Sequence, residues 1–255
     1  MVGGFDELVE ITRRLRGEGG CPWDKAQTMT SMRPYLLEEA YEALDAVDRG
    51  DRADAEKELG DLLFVTAMLG RIAEENGWFS LEGSMQRVNR KMVDRHPHVF
   101  ATDRSADAGT IGAWEARKAM ERQGRGSALD GVPSALPALL RAHRISEKAG
   151  AVGFDWPDVA GVRAKLDEEV GELDEAIASG DPAAIAEELG DVLFTLVNLG
   201  RHLPVAAEDA LRMAISRFEE RFRAVESGLA SEGRGIHDTP PAELEARWRA
   251  AKKRP

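Results

Sequence analysis

A chain of 255 residues can form one large domain or two of ordinary size, with ample length to bury a core. Its net charge of -12 opposes nonspecific binding to nucleic acid and to anionic membrane, because polyanions repel an acidic surface without a local basic patch. The single cysteine, Cys21, excludes an internal disulfide and a four-thiolate zinc site. With no run of about 18 apolar residues and no basic-then-apolar leader in MVGGFDELVE, the expectation is a soluble, cytoplasmic protein.

Apolar residues recur at helical spacing throughout, as in Leu8, Ile11, Leu15 and in Leu59, Leu62, Leu63, Thr66, Leu69, and no segment alternates as a strand would, so the fold is expected to be all-α. A first helix is predicted over residues 5–17, ended by Gly17, Gly19 and Gly20, with Cys21-Pro22-Trp23-Asp24 opening a loop. Helices over 31–48 and 53–76 follow, joined by Arg49-Gly50-Asp51, and another over 81–95 stops before Pro97. A short helix around Trp114 leads to Gln123-Gly124-Arg125-Gly126-Ser127, the best linker candidate. Helices over 135–149, 158–179, 182–202, 206–229 and 241–253 complete the chain, giving domains at 1–123 and 135–255 with 124–134 between them.

The second half repeats the first. A shift of 130 residues carries Glu38, Glu39, Glu42, Glu58, Gly60, Asp61 and Phe64 onto Glu168, Glu169, Glu172, Glu188, Gly190, Asp191 and Phe194 without an insertion. A period this long implies two domains in tandem, since each unit has enough helices to bury its own face.

The repeated residues are mostly acids. Between Leu166 and Asp191 stand ten acidic residues and no Lys or Arg. Glu169 with Glu172, and Glu188 with Asp191, lie at i, i+3 on one face of their helices, as do Glu39 with Glu42 and Glu58 with Asp61. A short loop makes the two helices antiparallel, so four carboxylates can converge, which is tolerable only with cations or raised pKa values. Oxygen donors without His or Cys select a hard ion, Mg²⁺ or Mn²⁺, and disfavour the iron of bundles that place a His at i+3. A single Glu-x-x-Glu is most often a solvated face. A solvated face gives no reason to keep four acids in register while neighbours such as Ala43 and Leu173, or Lys57 and Glu187, drift. Gly60 and Gly190, costly inside a helix, signal close approach of another backbone or a ligand.

Glu-Glu-x-x-Glu, a spacer, then Glu-x-x-Asp resembles the pattern of the all-α nucleoside triphosphate pyrophosphohydrolases. Cys21-Pro22-Trp23-Asp24, Glu58-Leu59-Gly60-Asp61 and Arg95-His96-Pro97-His98-Val99-Phe100 are similar to segments of the tandem-domain MazG family. The resemblance spans nearly the whole chain. It implies Mg²⁺-dependent hydrolysis of nucleoside triphosphates to monophosphate and pyrophosphate by a homodimer. It also implies Glu169, Glu172, Glu188 and Asp191 as ligands, with Glu39, Glu42, Glu58 and Asp61 their counterparts. Glu168, matched by Glu38, is the candidate for a further ligand or for the base that orients water.

Phosphates need donors beyond a metal, and Arg217 and Arg221 share one helix face, with Lys91 and Arg95 the apparent counterparts; the bland alternative is ion pairing with Glu219 and Glu220. Trp248 and Trp114 could stack on a base, and the resemblance supports Trp248 in that role; Lys165 is a further phosphate candidate. His96 and His98 lack a third His or a Cys for zinc, and Cys21 has no evident base. The halves differ, since Lys165 stands opposite Tyr35, and Arg49, Arg52 and Lys57 enter only the first acidic stretch. The second half is therefore expected to carry most of the catalysis. Two alternatives are a narrower hydrolase of dUTP or phosphoribosyl-ATP, and a non-catalytic acidic helical interaction module.

Overall fold

The computed structural model describes residues 4–100 and 126–252. Trp114, Gln123, Gly124 and Arg125 lie outside them. The chain divides into two compact units, Met1–Thr110 and Ile111–Pro255, and among the described residues every regular element is helical. None of these helices is long and apolar enough to cross a membrane.

The first unit contains α1 (Phe5–Arg16), α2 (Pro22–Ala26), α3 (Arg33–Arg49), α4 (Arg52–Glu75), α5 (Leu81–Arg95) and α6 (Pro97–Phe100). Its largest helix-helix interface joins α3 to α4, and α1 and α5 also pack on α4. Met32, Val65, Met68 and Ile72 form the buried centre, with Tyr35, Phe64 and Leu69 against it. The reading of Cys21–Asp24 as a loop is corrected by α2. Pro22 sits in the first turn, where its missing N–H costs nothing and its fixed φ suits a helix. Gly20 allows the chain to double back before α2, since a Cβ there would lie 2.3 Å from the Leu15 carbonyl oxygen. The side chain of Arg16 then ties three elements together. It donates to Glu75 Oε2 at 2.7 Å from Nη2, and through Nη1 to the carbonyl oxygens of Gln27, at 3.1 Å, and Asp24.

The second unit contains α7 (Ala138–Gly150), α8 (Val159–Ser179), α9 (Pro182–His202), α10 (Ala207–Ser231), a 3-10 turn at Ile236–Asp238 and α11 (Pro241–Ala251). The expected helix over 135–149 starts later, at Ala138, because Pro137 holds extended backbone at φ -48° and ψ 141°. Ser127 and Asp130 of the expected linker form a turn, in which the Ser127 N–H donates to Asp130 Oδ2 at 2.9 Å. The buried Lys148 donates to the Asp130 carbonyl, also at 2.9 Å, which docks that turn on α7. Asn198 stands where the 130-residue shift would put Met68. It is buried, donates to the Phe194 carbonyl at 3.1 Å and accepts from Arg201 at 3.2 Å. Arg201 also donates to Asp155 Oδ2 at 2.7 Å, and His202 Nε2 lies 3.1 Å from Asp155 Oδ1.

One hairpin design recurs in both units. Gly50 ends α3 with φ 68° and Gly180 ends α8 with φ 70°, a left-handed geometry that glycine adopts without the Cβ penalty. Asp51 and Asp181 then cap the next helices, accepting from Asp54 N–H at 3.1 Å and Ala183 N–H at 3.0 Å. The expected antiparallel pairs, α3 with α4 and α8 with α9, are the most extensive contacts of their units.

The Arg201 guanidinium foremost, with His202 also contributing, holds the Asp155 carboxyl down at about 2, against an ordinary value of 3.8. A depressed carboxyl stabilises the fold above its unfolded pKa and loses that contribution as pH falls through the folded one. Asp155→Asn should therefore cost about 1–2 kcal/mol at neutral pH, after allowance for partial solvent screening. The deficit should shrink between about pH 4 and pH 2, as read by denaturant unfolding across that range.

Candidate active site

The hairpins bring acids from both helices together. In the first unit Glu39 of α3 and Glu58 and Asp61 of α4 each offer a carboxylate oxygen, all within 4.8 Å of one another. In the second unit Glu169 and Glu172 of α8 and Glu188 of α9 do the same. Glu58 and Glu169 are the deeply placed members, 4% and 6% exposed. The two triads differ in composition, where the repeat leads one to expect the same four residues in each. Glu42 is exposed beside Glu58, and Asp191 is exposed outside its triad. Glu38 and Glu168 are exposed at the margins.

A lysine reaches each cluster from a different side. Lys57 Nζ lies 2.6 Å from Glu58 Oε1, whereas Lys165 Nζ lies 2.7 Å from Glu168 Oε1 and 2.9 Å from Glu169 Oε1. Lys165, expected as a phosphate donor, is thus engaged by its own helix, and Lys57 is engaged equally in the other half. Position 35 is Tyr, so no lysine can draw Glu39 as Lys165 draws Glu169. Mutual repulsion remains. Burial foremost, then Asp61, Glu42 and Glu58, push the Glu39 carboxyl up, and Glu42, although its side chain is exposed, rises through partial desolvation and then through Glu58. Glu172 rises chiefly because it shares a hydrogen bond with Glu169. Glu58 Oε2 is buried with no hydrogen-bond partner. Such an atom is expensive unless a cation or donor faces it.

Gly60 and Gly190 do not mark a close approach within either unit, since a Cβ at either position meets nothing within 4 Å. Both face solvent one residue from an acid of the predicted set. Sequence spacing alone cannot distinguish contact inside a chain from contact supplied from outside it.

A cleft of about 390 Å³ opens beside α10 in the second unit, walled by Phe218, Phe222, Val225, Ile236, Leu244 and Trp248. Phe218 and Phe222 stack at 5.9 Å, and Phe218 meets Trp248 at 4.9 Å. Arg217 and Arg221 each precede one of these phenylalanines, so a cationic row runs beside the aromatic row on α10. Among the described residues neither arginine has an ion-pair partner; the expected competitor Glu219 pairs instead with Arg223 at 3.0 Å. Trp248 is positioned by salt bridges around its neighbour Arg247, which binds Glu232 at 2.6 Å and Glu243 at 2.8 Å. Arg234 first, and Arg247 next, hold the Glu243 carboxyl down at about 2.

The first unit has a different cleft, of about 600 Å³, whose lining includes Trp78, Phe79, Arg87 and Lys91. Lys91 was expected near phosphate, but Arg95, half-buried at the end of α5, is not part of this lining. Arg87 also lines this cleft, although it is not among the expected phosphate donors. Strict use of the 130-residue shift finds it, since Arg87 and Lys91 fall on Arg217 and Arg221, while Arg95 falls on Val225. His96 and His98 lie with ring centroids 5.7 Å apart and join no metal-binding group among the described residues. Cys21 is the half-buried residue before α2.

Comparison with known proteins agrees with the duplication of the domain. A family model of the MazG nucleotide pyrophosphohydrolase domain matches residues 27–100 and again 159–225. The nucleoside triphosphate pyrophosphohydrolase/pyrophosphatase MazG of Thermotoga maritima is 41% identical over 249 residues, 97% of this chain and 95% of its own. The nucleoside triphosphate pyrophosphohydrolase of Escherichia coli K12 is 42% identical over 255 residues, 98% of this chain and 97% of its own. An uncharacterized protein of Bacillus subtilis, YabN, is 37% identical over 98% of this chain, which spans 52% of YabN. With the domain matched in both halves and relatives aligned over nearly its whole length, the chain belongs to the MazG nucleotide pyrophosphohydrolase family.

Proposed function

We propose that the chain hydrolyses nucleoside and deoxynucleoside triphosphates to monophosphates and pyrophosphate, with Mg²⁺ or Mn²⁺, chiefly through its second unit. The observation that carries this reading is the convergence of three carboxylates across each hairpin, in a chain whose close relatives are named for that activity. The donor set suits a hard divalent cation, and the buried, unpartnered Glu58 Oε2 together with the raised Glu39, Glu42 and Glu172 carboxyls is what such a cation would relieve. Glu169, Glu172 and Glu188, completed by Asp191, would hold it in the second unit, and Glu39, Glu58 and Asp61, completed by Glu42, in the first. When bound, it would polarise the attacked phosphorus and lower the pKa of a water.

The remaining work falls to the chain. Arg217 and Arg221, unpaired among the described residues, would donate to phosphate oxygens, while the Trp248 wall would take the base. Glu168, beside Glu169 and held by Lys165, would orient the attacking water. The preference for the second unit is supported by its acidic stretch, which no Lys or Arg enters between Leu166 and Asp191, whereas Lys57 pairs with the buried Glu58 in the first. A homodimer is part of the same reading. Leu59 and Leu189, at equivalent positions on α4 and α9, are 51% and 47% exposed, and Leu63 with Leu193 and Val47 with Ile177 repeat the pattern. An apolar face kept in both copies suits burial by a second copy.

A panel of nucleoside triphosphates with product identification tests the reading. Pyrophosphate and monophosphate should appear with Mg²⁺ and vanish with EDTA, whereas release of orthophosphate would refute it. Glu188→Ala should lower kcat by about 100-fold or more, and Glu58→Ala by much less; near-complete loss from Glu58→Ala alone would assign catalysis to the first unit. Trp248→Ala should raise KM about tenfold, with Trp248→Phe largely restoring it, as expected for a stacking contact of about 1–3 kcal/mol.

A further inference from the structure

The cleft of the first unit is built as a ligand site from residues that the hydrolytic reading of the second unit does not use. Trp78 and Phe79 sit in the short connection between α4 and α5, and both are exposed, Trp78 by 62%. The connection is tightly fixed. Gly77 takes a left-handed turn at φ 68°, and the Trp78 N–H donates back to the Ala73 carbonyl at 3.0 Å. Glu74 accepts from the Leu81 N–H at 3.2 Å, and the Ser80 hydroxyl caps α5 by accepting from Gly83 N–H at 3.0 Å. Leu81 is buried against Gly70, where a Cβ would come within 2.9 Å of its side chain. The indole is therefore held out from the unit by a turn that is anchored on both sides.

Arg87 and Lys91 stand one helical turn apart on α5 and line the same cleft. Among the described residues neither has an ion-pair partner, in a chain of net charge -12 where the other long cations near this unit's core, Arg16 and Arg71, are paired. A volume of about 600 Å³ falls within the usual range for small-molecule sites. No carboxylate is among the lining residues, so the cleft has no means of its own to hold a metal against a triphosphate. Two cations match the charge of one phosphate monoester, about -1.5 to -2 at neutral pH.

We propose that this cleft binds a nucleoside monophosphate, its base against Trp78 and Phe79 and its phosphate on Arg87 and Lys91, and does not hydrolyse it. It is a second nucleotide site, and its lining includes no residue of the carboxylate triads. On the proposed reaction its ligand is the product, so the site would report product level; that connection rests on the hydrolytic reading, and the binding itself does not.

Binding of adenosine 5′-monophosphate to the full chain, measured by titration calorimetry in EDTA, tests the proposal. A Trp248→Ala/Arg221→Ala background silences the cleft of the second unit. In that background one saturable site per chain should remain. Arg87→Gln and Lys91→Gln should each weaken it about tenfold or more, the loss expected for a charge-assisted contact to phosphate. Trp78→Ala should weaken it likewise and Trp78→Phe should restore it. Because Arg87 and Lys91 are exposed on α5, the variants should keep the parent's melting temperature, which excludes unfolding as the cause. Absence of a saturable site in the background chain, or binding indifferent to both cations, would overturn the proposal. Pyrophosphate release by the wild-type chain is scored separately, so failure of the hydrolytic reading leaves a distinct signature.

Discussion

Everything in this molecule depends on like charges being forced together across a helical hairpin. Glu58 and Glu169 are nearly inaccessible to water, and each faces further carboxylates from its own and the opposite helix. The cost is borne because the hairpin geometry allows little else. A left-handed glycine ends one helix, an aspartate caps the next, and the apolar faces of the pair then fix their mutual rotation. One residue added to the turn would rotate the following acids by roughly 100° about their helix and dissolve the cluster. Identical turn lengths in the two copies are thus a requirement of the charges and not an accident of descent.

Much of this was legible in the residues. Helical periodicity located α3, α4, α5, α8 and α9 to within a few positions, because their apolar stripes are continuous and their ends carry Gly, Asp or Pro. The acids were found because they recur at a fixed shift. Three things were not legible. The short α2 lacks the length to show a period. The grip of Lys57 on Glu58, and of Lys165 on Glu168 and Glu169, depends on side-chain reach and not on spacing along one face. Trp78 and Phe79 carry no repeat or motif that singles them out, and only their exposure on an anchored turn sets them beside Arg87 and Lys91.

The duplication preserved one layer and released another. Hairpin turns, acids and the cation pair on the following helix keep their register: Arg87 with Arg217, Lys91 with Arg221. The aromatic walls do not. The second unit draws its wall from α10 and from α11, a helix held by the Arg234, Glu243 and Arg247 network. The first draws its wall from the turn before α5, where the second has Glu208 and Asp209. Cations at equivalent positions thus lie beside aromatic surfaces built from different elements.

The substitution of Met68 by Asn198 shows how far the copies have parted beneath that shared layer. Met68 belongs to an apolar centre, while Asn198 is one member of a chain of polar contacts running through Arg201 to Asp155 and His202. Each side chain suits only its own surroundings. A thioether in place of Asn198 would leave part of the Arg201 guanidinium without its acceptor, and an amide in place of Met68 would sit in the apolar cluster of Met32, Val65 and Ile72. The two hairpins align with one another in sequence, yet they are not exchangeable parts. A chimera carrying two copies of either one would have to rebuild the interior beneath it.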